Sequence, residues 1–195
     1  MTTPSSPAKL VTADEFDHYP ERSPEGGKLE LVEGRVIARS PVGRTHSKMQ
    51  IRLVSALDAF IQARTLGEVN IEVGYRLRQQ TGQPDTTRVP DVSFLTTARL
   101  EAAGSPQEGT ISGPPDLAVE VMSPDDHEED VNRKLEDSFA AGCPRAWVVR
   151  PRLRNVTVHR ADGTARTYHL GDTLTSDDAG FAVEGFALPL AELFE

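Results

Sequence analysis

The sequence has little of what marks secreted, membrane-bound or thiol-dependent proteins. Cys143 is the only cysteine among 195 residues, so an internal disulfide is impossible and a cysteine-based zinc site would need a partner chain. No apolar run approaches the roughly 20 residues that cross a bilayer, and the first residues lack the apolar core of a signal peptide. These absences predict a cytoplasmic protein without a membrane segment.

An excess of basic residues is also missing. The formal net charge is −9, which argues against nonspecific wrapping of nucleic acid by the whole surface, because phosphate binding normally needs a basic footprint. The net charge does not exclude a local basic site, and the run Arg150, Arg152 and Arg154 is a candidate for one. This run contacts phosphates in one interpretation and is a solvated loop, the usual role of a charge run, in the other.

The length and the 37% hydrophobic content suit one α/β domain with a sizeable core. Residues 1–10 are predicted to be a disordered tail, and the domain covers 11–195. Apolar residues recur at helical spacing over 45–64 and 126–142, and they alternate over 69–77, which predicts two helices and one long strand. The remaining predicted elements are a helix over 12–19, a hairpin over 30–37, a loop over 98–115, a strand over 146–149, a hairpin over 156–169 and a helix over 188–194.

Two apolar, β-prone runs each contain one carboxylate. Asp91 lies in the run 89–95, and Glu120 lies in the run 117–122. A buried strand does not normally carry an unpaired charge, so something must compensate each of them. If the strands are neighbours, the two carboxylates converge on one point, where a divalent cation is the simplest compensation. The pattern therefore predicts a metal-dependent phosphodiesterase.

A rival Pro-Asp pair stands at Pro115 and Asp116. Asp116 and Glu120 are four residues apart on an extended segment, about 13 Å at roughly 3.3 Å per residue, so they cannot share a metal. Adjacent strands lie about 5 Å apart, which leaves Asp91 as the permitted partner of Glu120. The structural alternatives are a turn-capping role for Asp91 and a buried ion pair for Glu120. Removing one of two repelling carboxylates is expected to raise the thermal stability of the metal-free protein.

The order of these motifs resembles the Uma-two family of restriction-endonuclease-like proteins. The resemblance covers nearly the whole chain and rests on residues 30–34, His46, 89–92, 117–124, Asp130, Lys134, Gly142 and 147–149. It implies the fold of the PD-(D/E)XK nuclease superfamily, a mixed central β-sheet flanked by helices in one α/β domain. It also implies Mg²⁺-dependent endonuclease activity on nucleic acid, DNA in the first place, with Mn²⁺ as a substitute and a homodimer as the assembly.

The resemblance also assigns metal ligands. Asp91 and Glu120 match the two ligand positions, in agreement with the strand geometry, and the backbone carbonyl of Val121 is a third ligand. Glu30 and His46 match family positions near the site. From the residues alone, Glu30 is an ordinary strand residue, and His46 is a helix-start or packing residue because no second histidine stands at His-x-x-x-His spacing.

The lysine of the superfamily normally follows the glutamate by two residues, but Met122 stands there. Lys134 on the following helix matches the position that replaces it in this family; the alternative is an ordinary surface lysine. A lysine at the site orients the attacking water, favours its deprotonation or stabilises the developing charge on the phosphorane. The chain departs from the family pattern again at Ser138 and Arg150, where tyrosine and aspartate are common.

Three functions are compatible with these observations. The first is a Mg²⁺-dependent endonuclease-like phosphodiesterase. The second is a non-catalytic nucleic-acid-binding or protein-interaction module that keeps the nuclease fold, which metal binding without cleavage would favour. The third is a metal-dependent hydrolase of a small phosphate ester, which a panel of substrates would separate from the first.

Overall fold

The computed structural model describes residues 9–79, 82–104, 108–124 and 126–195. Most of the tail expected over 1–10 lies outside the described residues. No helix in the described ranges is long and apolar enough to span a bilayer. The helices are α1 Ala13–Phe16, α2 Arg44–Gln62, α3 Thr97–Ala102, α4 Glu128–Ala140, α5 Ser176–Ala179 and α6 Leu190–Phe194. The strands are β1 Leu29–Val32, β2 Arg35–Ala38, β3 Gly67–Ile71, β4 Tyr75–Arg78, β5 Thr86–Arg88, β6 Val92–Thr96, β7 Ile111–Ser112, β8 Leu117–Val121, β9 Arg145–Arg150, β10 Asn155–Arg160, β11 Ala165–Tyr168, β12 Thr173–Thr175 and β13 Ala187–Pro189.

A six-stranded mixed sheet forms the centre of the domain. Its strand order is β11-β10-β9-β8-β6-β3, with β8 and β9 parallel and the other neighbours antiparallel. Apolar side chains of α2 and α6 pack on one face, and those of α4 pack on the other. A mixed central sheet flanked by helices is the fold class that the sequence predicts, and that prediction is confirmed.

The alternation of side chains along β8 decides which helix each residue meets. Val119 packs with the apolar side chains of α2, whereas Ala118 packs with those of α4. Because alternate residues of a strand point to opposite faces, Glu120 lies on the same face as Ala118. Because α4 packs on this face, one of its side chains can reach Glu120.

The segment predicted as one long strand over 69–77 is two strands in different sheets. β3 is an edge of the central sheet, and β4 belongs to a five-stranded sheet with the order β2-β1-β5-β4-β7. The chain turns between them at Glu72, which has a positive φ of 52°. Apolar and polar residues alternate on both sides of the turn, so their alternation alone does not show the break; Gly74 is the one residue of the segment that argues against a continuous strand.

The prediction of a loop over 98–115 is also wrong in part. This segment contains most of α3, which begins where the hydroxyl of Thr96 accepts a hydrogen bond from the backbone N–H of Arg99, and it contains β7. Both elements are too short to show a helical or strand period. The predicted helices over 45–64 and 126–142 and the hairpin over 156–169 are confirmed, with ends that shift by no more than two residues. The predicted C-terminal helix is α6, and it follows β13, which pairs with β12 in a small sheet that the sequence did not predict.

Candidate active site

Asp91 and Glu120 come together at the ends of two paired strands. β6 and β8 are antiparallel with Val92 opposite Val119, so one further residue places Asp91 opposite Glu120. The N–H of Asp91 donates to the carbonyl of Val119 at 3.0 Å and continues the pairing. Opposite residues of antiparallel strands have Cβ atoms about 4.5–5.5 Å apart. Both side chains line one cavity of about 250 Å³, the convergence that the strand argument predicts.

Contacts from several parts of the chain hold Asp91. Oδ1 accepts a hydrogen bond from the Lys28 ammonium at 2.6 Å, and Oδ2 accepts one from Nε2 of His46 at 3.0 Å. The backbone N–H of Val121 donates to Oδ2 at 2.7 Å, and the amide of Gln50 donates to the Asp91 carbonyl at 3.2 Å. Burial raises the pKa of Asp91, but the charge of Lys28 and the bond from His46 outweigh it and hold the pKa well below its usual range. Asp91 is therefore ionised.

His46 contacts the site through one ring nitrogen. Burial lowers the pKa of His46, but the hydrogen bond to Asp91 and the charge of Asp91 outweigh it and raise the pKa above its ordinary value. Nδ1 of His46 is buried and has no hydrogen-bond partner among the described residues. The histidine that the family resemblance assigns to the site thus touches Asp91 directly.

Glu120 pairs with the helix lysine that the sequence singles out. The Lys134 ammonium lies 2.7 Å from Oε2 of Glu120 and 3.4 Å from Oε1 of Glu30. Burial raises the pKa of Glu120 by more than the charge of Lys134 lowers it, and the charge of Asp91 adds to the increase. Burial lowers the pKa of Lys134, but the nearby carboxylates outweigh it and raise this pKa above its ordinary value. The ammonium therefore stays charged. Lys134 is buried, so it is not the ordinary surface lysine of the alternative interpretation.

Glu30 is fully buried and lies behind this pair. Its Oε2 accepts hydrogen bonds from Arg39 at 2.8 Å and from Arg88 at 3.2 Å, and its Oε1 accepts one from the N–H of Val89 at 3.3 Å. Burial raises the pKa of Glu30, but the charges of Lys134 and Arg39 outweigh it and hold the pKa far below its usual range. Glu30 is not among the residues that line the cavity, so it meets the site through Lys134 and Arg39, which do line it.

Three basic side chains at the site, Lys28, Arg39 and Arg88, were missed by the sequence argument. Lys28 and Arg39 flank the β1–β2 hairpin at its open end, where the N–H of Arg39 donates to the carbonyl of Lys28 at 2.9 Å. Arg88 ends β5, a strand whose three residues are all buried. A basic residue inside a buried strand needs a partner, and this signal could have found Arg88 but not Lys28 or Arg39, which stand outside their strands.

The compensation that the sequence argument expects from a cation comes here from basic side chains. Glu30, Asp91 and Glu120 expose 0%, 3% and 6% of their surface. Together with Asp137, which pairs with Arg88, they form a cluster of four carboxylates and four basic groups, Lys28, Arg39, Arg88 and Lys134. We call it the charge cluster. The buried ion pair considered as the alternative for Glu120 is therefore present.

The oxygen atoms that remain available fit a hard divalent cation. A carboxylate has about four acceptor positions, and the contacts of Asp91 use three of them. Oε1 of Glu120 has no hydrogen bond within the described part of the chain. The described residues contain no group of three or more His, Cys, Asp or Glu side chains arranged to hold a metal. Mg²⁺ commonly binds one or two carboxylates and keeps several waters, so two carboxylates suffice for it.

The rival residue Asp116 takes part in another structure. It accepts hydrogen bonds from the N–H of Thr96 at 2.8 Å and from Arg99 at 3.0 Å, at the opposite end of β8 from Glu120. Its role is to hold the start of α3.

The positions that depart from the family pattern have separate surroundings. Met122 lines the cavity, and Ser138 is buried on α4. Arg150 makes two hydrogen bonds to the carboxylate of Glu128, at 3.0 and 2.9 Å.

Gly27 allows the chain before β1 to pass close to the backbone of Arg39 after β2. A Cβ at residue 27 would collide with the carbonyl oxygen of Arg39 across the hairpin. We expect Gly27→Ala to lower the free energy of unfolding by about 1–3 kcal/mol, the usual cost of overpacking, and to lower the Tm by several degrees. Gly171→Ala is the control, because a Cβ there meets nothing within 4 Å. Equal Tm values for the two variants in a thermal melt would contradict this account.

The mixed sheet and the helices around it define a protein of nuclease-like fold. Residues 13–191 match the Uma-two (Uma2) family, described as "Putative restriction endonuclease", and the chain belongs to this family. The chain is also similar to a crystal structure of "a putative nuclease belonging to DUF820" from Anabaena variabilis ATCC 29413. The two share 22% identity over 94% of this chain and 97% of the other, with a TM-score of 0.73, which confirms the fold. No curated protein matches the chain.

Proposed function

We propose that this chain is a Mg²⁺-dependent endonuclease-like phosphodiesterase that hydrolyses nucleic acid, DNA in the first place. The observation that supports this function is the placement of Asp91, Glu120 and Lys134 around one cavity in a member of this family. We extend the proposal to a homodimer, because one active site cuts one strand and a duplex has two strands.

Asp91, Glu120 and the backbone carbonyl of Val121 are the groups that would hold the cation. When bound, the cation polarises a phosphoryl oxygen and lowers the pKa of a bound water. The chain prepares these groups beforehand. Lys28 and His46 keep Asp91 ionised and fixed, and the second oxygen of Glu120 is left free of hydrogen bonds from the described residues.

Lys134 acts through its charge. Because the pKa of Lys134 is raised, its side chain is protonated at neutral pH and is not the base that takes a proton from water. Each of the three roles considered for this lysine, orienting the attacking water, favouring its deprotonation and stabilising the negative charge on the phosphorane, then acts through the positive charge of the ammonium. Glu30 holds Lys134 from behind and is a positioning residue.

The second candidate is a non-catalytic module that keeps the fold. The balanced charge cluster favours it, because every carboxylate of the cluster has a basic partner without a metal. The two candidates differ in whether bound metal leads to cleavage.

Calorimetry and a cleavage panel test the proposed function. Wild type should bind Mn²⁺ and cleave at least one substrate in a set of single- and double-stranded DNA and RNA. Glu120→Gln keeps the size of the side chain but removes its charge, so we expect weaker Mn²⁺ binding and at least a roughly 10²-fold lower cleavage rate.

Each other outcome of this panel has a definite meaning. Metal binding by wild type without cleavage of any substrate would establish the non-catalytic module. Cleavage of bis(4-nitrophenyl) phosphate or a small monoester alone would establish the small-ester hydrolase. Unchanged Mn²⁺ affinity in Glu120→Gln would place the metal site elsewhere.

A further inference from the structure

A second cavity adjoins the candidate active site. It has a volume of about 270 Å³ and shares Met122, Ser123 and Asp126 with the active-site cavity. Its other wall is the turn 151–153, which joins β9 to β10. The two cavities are therefore neighbours on the surface, close enough for one chain-like ligand to reach both.

The turn that forms this wall is fixed in place. The N–H of Leu153 donates to the carbonyl of Arg150 at 3.2 Å, and the N–H of Arg154 donates to the carbonyl of Pro151 at 3.3 Å. The two bonds from Arg150 to Glu128 tie the end of β9 to the first turn of α4. The backbone at the tip of the turn is therefore held beside both cavities.

One positive charge at this wall is not neutralised by the protein. Arg150 is paired with Glu128, but Arg152 is exposed and has no hydrogen bond or ion pair among the described residues. Next to it, Leu153 exposes 66% of its surface, and Pro124 and Pro151 complete an apolar wall. A free guanidinium beside an apolar surface matches the two parts of a nucleotide, because guanidinium groups bind phosphate and apolar surfaces accept the face of a base.

We propose that the second cavity is a subsite for the nucleotide next to the scissile phosphate, with Arg152 on its phosphate and Leu153 against its base. The carboxylate of Asp126 stands at the boundary between the cavities, where it repels phosphate and can accept a hydrogen bond from a base amine. This orients the nucleotide with its phosphate toward Arg152. The inference rests on the proposed function, since it assumes that a nucleic acid strand occupies the active site.

Binding measured without cleavage tests the subsite. The probes are fluorescent single-stranded DNA and RNA oligonucleotides of the same sequence, measured by anisotropy in chelator over a series of salt concentrations. Arg152→Ala should weaken binding and reduce the slope of log affinity against log salt by about 0.7, the value for one lost contact to single-stranded phosphate. Leu153→Ser should weaken binding without a change of slope, because it removes no charge.

Arg166→Ala is the matched control for charge, because Arg166 is exposed on β11 at the far edge of the sheet and lines neither cavity. It should keep the wild-type slope. A wild-type slope in Arg152→Ala, or no oligonucleotide binding by wild type, would overturn the subsite. A reduced slope in Arg152→Ala together with no cleavage by wild type would support the subsite and refute the proposed phosphodiesterase. Equal losses for DNA and RNA would show that the subsite reads phosphate and base rather than the sugar.

Discussion

Replacing Asp91 by alanine is expected to abolish Mn²⁺ binding in calorimetry and to reduce nucleic acid cleavage to background. The variant removes one of the two carboxylates that we propose as metal ligands, and the remaining Glu120 is partly neutralised by Lys134. Asp116→Ala is the matched control, since Asp116 binds Arg99 at the other end of β8 and should leave metal affinity unchanged. Wild-type affinity in Asp91→Ala would refute the carboxylate pair as the metal site.

The same variant should also be less stable, which reverses the expectation from the sequence alone. Repulsion between two carboxylates predicts a gain in stability when one is removed. In the structure Asp91 has the buried ammonium of Lys28 on one oxygen, so its loss leaves a buried positive charge without a partner. Breaking a buried pair typically costs about 3–5 kcal/mol, and we expect a clear fall in Tm in a thermal melt. A higher Tm would show that repulsion dominates after all.

Lys134→Ala is expected to keep metal affinity and to lose roughly 10²-fold or more in cleavage rate, the scale of one lost electrostatic group. Lys134→Arg should restore little activity, because a planar guanidinium does not replace a compact ammonium in a closed space. The assay is Mn²⁺-dependent cleavage with Asp91→Ala as the background. Unchanged cleavage in Lys134→Ala would leave Lys134 with a purely structural role.

The stability of Lys134→Ala should depend on pH. The charge of Lys134 lowers the pKa of Glu120, so its removal raises a pKa that burial has already raised. A carboxyl whose pKa is higher in the folded than in the unfolded protein takes up a proton on folding. The free energy of unfolding of the protein therefore falls as the pH rises from the unfolded pKa through the folded pKa. The Tm of the variant should therefore lie further below that of wild type at about pH 8 than at about pH 5. Wild-type Lys134 is protonated at both pH values, because its own pKa is raised.

The part of the site that could be predicted is the part that violates a sequence rule. Asp91 and Glu120 interrupt apolar strands, and one strand register brings them together. Lys28 and Arg39 violate no such rule, because each stands just outside a strand and is buried only by the pairing of β1 with β2 and by the sheets around it. Their partners lie elsewhere in the sequence, and the residues next to Lys28 and Arg39 do not indicate which carboxylates they meet.

The fold was predicted where periodicity is long and uninterrupted, as in α2 and α4. The break between β3 and β4 does not show in the alternation of apolar and polar residues, and Glu72 at the break adopts a left-handed conformation more usual for glycine or asparagine. Its carboxylate accepts hydrogen bonds from Arg22 and Gln50, which supports a backbone geometry that its residue type does not suggest.

The balanced charge cluster has a consequence for the apoprotein. Structural zinc sites couple metal uptake to folding, because their ligands lack other partners and the chain unfolds when a chelator removes the ion. In the charge cluster every carboxylate already has a basic partner, so folding does not wait for a cation. If the chain binds the cation of the proposed function, uptake of that cation is separate from folding of the domain, and occupancy of the site depends on the free metal concentration alone.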